Sequence, residues 1–229
     1  MWIVSEFAGG RARFIRIWEG KMYLNPKFQE PDPKRNLDFV RERGFGVLSV
    51  SGIDGPIAVH LPFILSADGK RLEAHVMRSN PVWRAIEEPT KALMVVSGPD
   101  GYISPDWYGD TDAVPTWNYV AVHLRGVLRR VDPGEIHAYV ERLSDTMEAR
   151  LAPKPIWKSS KMASGALERL YRMIVPLEMD IESVEGIRKL NQNKPADQAM
   201  AAADRLEEGG FGQDIGALVA MMREANATR

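Results

Sequence analysis

The sequence contains no cysteine. A disulfide framework, a thiolate nucleophile and a Cys-rich metal knuckle are therefore all excluded. Charge of one sign is also missing: 30 Lys and Arg oppose 31 Asp and Glu, for a formal net charge of -1. No global positive field draws such a chain onto nucleic acid, although a local basic patch is compatible with the balance. Long apolar runs are absent too, no window approaching the roughly 18 residues that a membrane helix requires. Arg11, Arg13 and Arg16 interrupt the short apolar stretches near the N-terminus, so a secretory signal does not form and the cytoplasm is the expected location. The phosphate-loop string, HExxH, GxSxG and the EF-hand loop do not occur. The nearest glycine cluster, Gly209-Gly210-Phe211-Gly212, follows an expected helix and not a strand, which rules out a dinucleotide-binding fingerprint.

What is present is globular. The 229 residues are 45% hydrophobic and 27% charged, enough for one large domain or two small ones and a poor match to disorder. Asp32-Pro33 is a helix start, with Leu37 and Val40 on the apolar stripe and Gly44 as the stop. Strand-like runs follow at Phe45 to Val50, Pro56 to Leu65, Arg71 to Met77, Lys91 to Ser97 and Trp117 to Val131, separated by turn chemistry such as Ser66-Ala67-Asp68-Gly69. Their short connections favour antiparallel pairing in a meander or Greek-key barrel. Asp132 to Leu151 reads as a helix through Ile136, Tyr139, Val140, Leu143 and Met147, and a second helical stripe is Leu167, Leu170, Tyr171 and Ile174. A further strand is expected over Val175 to Ser183, and helix again after Pro195, with Ile215, Leu218, Val219 and Met222 on one face. The whole is α+β.

Several side chains could carry chemistry. If Asp68-Gly69 closes a hairpin, opposed residues sum to 137, which sets His60 opposite Met77 and diagonal to His75 on one sheet face. Such a pair can bind phosphate or a ring carbonyl, or simply be two satisfied sheet histidines; nothing nearby completes a metal site. Arg78, Ser79 and Asn80 sit at a strand end and the start of a short helix at Asn80-Pro81, a placement that suits an anion and is equally a plain helix cap. Tyr102, Trp107, Tyr108, Trp117 and Tyr119 could wall a planar ligand, form a dimer interface or pack a core. Lys189 to Pro195 places basic and amide groups on a loop before a helix, either for anion recognition or, by default, as a solvated turn.

Taken in order, Met22-Tyr23, Ala58-Val59-His60-Leu61-Pro62, Arg78-Ser79-Asn80-Pro81, Tyr102-Ile103-Ser104-Pro105-Asp106-Trp107-Tyr108, Val114-Pro115-Thr116-Trp117-Asn118-Tyr119 and Lys189-Leu190-Asn191-Gln192-Asn193 resemble the PaiB-like family, the FMN-binding negative transcriptional regulators. The resemblance runs from Met22 to about Met200. It leaves residues 1–21 as an N-terminal extension, either upstream of a natural start at Met22 or an added strand or arm, and 201–229 as a helical tail packed on the 22–200 domain. It implies an antiparallel split β-barrel of the pyridoxamine-phosphate-oxidase-like type, a homodimer with FMN in the cleft between subunits. His60, Leu61 and Pro62 would then lie along the flavin, with His75, Arg78, Ser79 and Asn80 near its phosphate and Trp83 also among the cofactor contacts. Trp117, Asn118, Tyr119, Lys189 and Gln192 would complete the pocket, from the partner chain if the site is shared. Asp106 and Asn191 stand where the family pattern has Ser, and Met77-Arg78-Ser79 where it often has Ala-Arg-Ala. The expected function is a flavin-binding regulator whose contact with DNA is indirect. The alternatives are an FMN-dependent oxidoreductase acting on a small molecule, where the flavin does the chemistry, and a cofactor-free interaction module. A haem site at the His pair is a further option of this fold.

Overall fold

Strand after strand in this chain alternates buried and open positions, and six of them close into a ring. The computed structural model describes residues 2–5, 13–16, 22, 25–109, 112–163 and 165–227. In chain order the elements are β1 (Trp2–Ser5), β2 (Arg13–Arg16), β3 (Gln29–Glu30), α1 (Pro33–Arg43), β4 (Phe45–Gly52), β5 (Gly55–Leu65), β6 (Arg71–Met77), β7 (Thr90–Ile103), β8 (Thr116–Arg130), α2 (Ile136–Glu148), α3 (Ala166–Tyr171), β9 (Ile174–Lys189), α4 (Ala196–Gly209), β10 (Gly212–Gln213) and α5 (Ile215–Asn226). β1 and β2 pair with each other, antiparallel; the rest of the expected 1–21 extension lies outside the described residues. The main sheet runs β7-β4-β5-β6-β9, and β8 pairs with both β7 and β9, so the path closes as an antiparallel barrel. Closure removes the open edges that an isolated sheet would offer to other chains.

The inward positions of each strand fill the barrel: Leu48, Phe63, Leu72, Met94, Leu124, Leu128, Leu177 and Met179 are almost fully enclosed. Each such side chain contributes about 1.5–3 kcal/mol by leaving water. The split lies between β5 and β6. Their ladder holds only Phe63 to Leu65 against Leu72 to Ala74, with the expected sum of 137, and beyond Phe63 the two strands part. His60 and Met77 are therefore not a hydrogen-bonded pair.

Helices cover the ends and one flank. α1 begins as expected, with the Asp32 side chain accepting from Lys34 N at 2.9 Å, and ends at Gly44 in the left-handed region (φ 58°). Phe39 and Val40 point into the barrel core, while Leu37 is half-buried. α2 lays Ile136, Tyr139 and Leu143 over Ile64 and Ile174 on the outer face of the sheet. α4 and α5 pack Ala202, Leu206, Leu218 and Met222 into the barrel's own core, so α4 spans residue 200, where a domain-and-tail division was expected.

Three elements differ from the sequence reading. The helix expected over Asp132 to Leu151 is confined to α2, with a single 3-10 turn on either side. Ile174 opens β9 and does not extend the helical stripe of α3, because its backbone pairs with Met77. β9 itself runs on to Lys189, which is thus a strand residue held opposite Tyr119 and not a loop residue. An extra residue, Glu182, bulges from β9 between the Arg125–Ser183 and Gly126–Ile181 pairs. There the strand turns from β8 and β3 toward β8 and β6.

Candidate functional site

The expected site residues fall into two groups at different places on the barrel. The first gathers around the split. His60 is exposed on the outer face of β5, its ring stacked on Phe45 of β4 at 6.4 Å and 29°. Leu61 points inward and is buried; Pro62 points outward and is half-buried. Phe45 (49% exposed) and Met77 (45%) add an open apolar surface beside the point where β5 leaves β6. His75, two residues before Met77 on the same face of β6, is half-buried where Met77 is open. Its Nδ1 lies 3.2 Å from the Tyr139 hydroxyl under α2, and burial holds the ring's pKa below the usual histidine value. The same burial raises the Tyr139 phenol.

Immediately after Met77 the chain turns into a cationic cluster. Arg78 is exposed, with Nε donating to Arg172 O at 3.0 Å and a terminal nitrogen to Ile174 O at 3.3 Å. Asn80 accepts from Val82 N at 2.9 Å and caps the 3-10 turn Pro81–Ala85; the expected short helix is this single turn. Trp83 Nε1 donates to Arg78 O at 2.7 Å. Three guanidinium groups surround the indole, Arg130 at 4.9 Å from the ring centroid, Arg84 at 5.7 Å and Arg78 at 5.8 Å. Arg130 is further fixed by donating to Trp83 O at 3.0 Å. Among the described residues, none of these three arginines has a carboxylate partner. Along the strands, by contrast, Arg71, Lys91, Arg125, Arg129 and Arg188 pair with acids, as does Arg142 of α2. Arg84 and Arg130 were missed by sequence reasoning. Arg84 stands in the same string as Arg78, but Arg130 arrives from the far end of β8 and no local spacing announces it.

The second group lies on β8 and β9. Trp117 is 44% exposed, Tyr119 is half-buried, and Lys189 is held beside them by its bond to the Thr116 hydroxyl and by the Phe28 ring at 5.8 Å. Burial lowers the Lys189 pKa. Asn118, by contrast, is fully enclosed; its amide nitrogen meets Met222 Sδ at 3.5 Å and its oxygen finds no protein partner. Gln192 turns back on its own chain, accepting from Leu190 N at 2.7 Å and donating to Arg188 O. Asn118 and Gln192 thus brace the strand ends that present Trp117 and Lys189. In one chain Arg130, which completes the arginine cluster, and Trp117 stand at opposite ends of β8, thirteen residues or roughly 43 Å of extended strand apart, so the arginines and the second group do not meet around a common ligand within a single barrel.

The residues around the split fit a flavin mononucleotide: an open apolar strip for a planar ring, ending in guanidinium donors of the kind that hold a phosphate. The chain matches a family model described as "Putative FMN-binding domain" over residues 22–183. It is 29% identical over 188 residues to the Bacillus subtilis "Protease synthase and sporulation protein PAI 2", covering 81% of this chain and 89% of that protein. Among solved structures, the FAD and heme binding protein from Mycobacterium smegmatis superposes with a TM-score of 0.52 at 17% identity, over 81% of this chain and 82% of that one. The flavocytochrome Anf3 from Azotobacter vinelandii gives 0.51 at 14% identity, over 70% and 69%. At these identities the two structures show that the split-barrel fold is shared.

Proposed function

The chain belongs to the FMN-binding domain family, PaiB-like in its sequence, and from that premise we propose that it binds FMN in a cleft shared by two copies and acts as a flavin-dependent regulator. The observation that carries the reading is the set of three arginines around Trp83, fixed by backbone carbonyls or ring contacts and lacking carboxylates, beside the open strip of Phe45, His60 and Met77. Like charges held together are costly, and a phosphate dianion offsets them. Bound there, FMN would supply redox chemistry that none of the side chains has. The protein's part is to hold the phosphate through Arg78 and its neighbours, to seat the ring along Pro62 and His60, and to shield it from water.

The wide separation of the two residue groups supports the shared cleft: a second copy brings Trp117, Tyr119 and Lys189 to the ring that the first copy anchors. The outer faces of β4 and β7 offer a surface for that copy, with Val47, Leu93 and Val95 half-buried and small neighbours at Ser49 and Ala58. The formal charge of -1 and the commitment of the arginines to the cofactor fit a regulator whose contact with DNA is indirect or made with a partner protein. No helix among the described residues is long and apolar enough to cross a membrane; a cytoplasmic place goes with the regulatory reading.

Titration with FMN tests it. The wild-type protein is expected to perturb the flavin's visible spectrum on binding, and Arg78→Ala to weaken binding by about 1.5–3 kcal/mol, the worth of a hydrogen bond to a charged group. Riboflavin, which lacks the phosphate, should respond little to the substitution. Equal loss for both ligands would take Arg78 away from the phosphate.

A further inference from the structure

At the end of the barrel where β7 stops and β8 starts, three aromatic rings form a cluster open to solvent. Tyr102 and Phe211 lie parallel, 5.1 Å apart at 13°, and Trp117 meets both edge-on at 6.2 and 5.7 Å. Phe211 is 59% exposed. It lies outside the matched family region, in the link between α4 and α5.

That link is built to hold the ring in place. Tyr102 N donates to Phe211 O at 3.1 Å, β10 pairs with Asp100 and Gly101 of β7, and Gln213 N donates to the Asp100 carboxylate at 3.1 Å. The approach is so close that a Cβ on Gly212 would stand 2.1 Å from Asp100 O, so only glycine admits it. A short strand thus pins a phenyl ring on the surface, where its exposed face gains nothing from water. Burying that face together with Trp117 under a flat ligand recovers the missing apolar contact.

We infer that Phe211, stacked on Tyr102 and meeting Trp117, is a stacking wall for the isoalloxazine ring of the flavin anchored by the second copy. The inference rests on the proposed shared cleft, because it is Trp117 that brings the wall to the ligand. It adds a contact from the C-terminal helical segment to a site otherwise built by the barrel.

The test uses the full chain and FMN itself. Phe211→Ala should weaken FMN binding about three- to tenfold, as expected for one lost aromatic stack. It should also shift the bound flavin's visible bands and lower the urea midpoint only slightly, since the ring is mostly exposed; Phe211→Tyr should restore binding. Mixing the Arg78→Ala and Phe211→Ala proteins distinguishes the copies. In a heterodimer one cleft carries both lesions and the other neither, so random exchange should restore wild-type affinity to about one quarter of the sites. Restoration of none would mean that Phe211 and Arg78 act on the same chain's flavin, which overturns the inference. So would an unchanged affinity and spectrum for Phe211→Ala in a protein whose Arg78→Ala form has lost affinity, an outcome that leaves the FMN reading standing. If the wild-type protein binds no FMN, the reading itself fails and the wall with it.

Discussion

His75 shows how a single residue can be legible in type and misleading in role. Its place on the outer face of β6 follows from the hairpin register, but α2 comes down on that face and Tyr139 takes its Nδ1. Burial disfavours the charged ring in the folded protein and leaves it free to protonate in the unfolded chain. His123, half-buried on β8, is shifted in the same direction by burial and by Arg125, against the opposing pull of Glu185. Below about pH 6.5 the unfolded chain therefore binds more protons than the folded one, and stability falls as the pH drops. Thermal melts between pH 7 and pH 5 should show the fall, and a shallower one for His75→Gln; an identical slope would mean that His75 titrates alike in both states.

Among the elements, β9 is the one that sequence periodicity describes least well. Its first half alternates visibly through Leu177, Met179 and Ile181, but Glu182, Ser183 and Glu185 break the pattern, and it is distant pairing, with β8 and with the short β3, that keeps the chain extended to Lys189. Locally encoded features were legible: the Asp32 cap and Gly44 stop of α1, the Asp68-Gly69 register, the limits of β6. The site divides along the same line. Arg78, Trp83 and Trp117 stand in recognisable strings, whereas Arg130 and Phe211 join them only through strand pairing across the fold. Gly126 marks the bend that makes this possible. A Cβ there would stand 2.0 Å from Asp180 O on β9, a backbone atom that cannot step aside. Gly126→Ala should cost about 3 kcal/mol, read as a lower urea midpoint with little change in slope. A neutral substitution would mean that β8 and β9 cross less tightly.

For the molecule as a whole, the proposed second copy needs a face to meet. One row of register partners, His60, Val47, Val95, His123 and Glu185, runs across five strands of the outer surface, apolar at its centre and polar at its ends. A charge at the middle of that row cannot be solvated once two barrels meet face to face. Val95→Glu is expected to give a monomer by light scattering and to lose FMN affinity along with the partner's half of the cleft. A dimer that survives the change would place the contact on another face.

Barrel closure by β9 also sets an order of events during synthesis. All the strands from β4 to β8 are synthesised before Ile174, and the free sides of β6 and β8 both wait for the same strand. While the ribosome adds α2 and α3, the nascent chain carries two unpaired edges and an unsealed apolar interior, the condition in which chaperones are most needed. The strand that arrives last seals both edges at once, so a message broken between the codons of β8 and those of β9 yields a polypeptide with the stickiness of a sheet and none of the protection of a barrel.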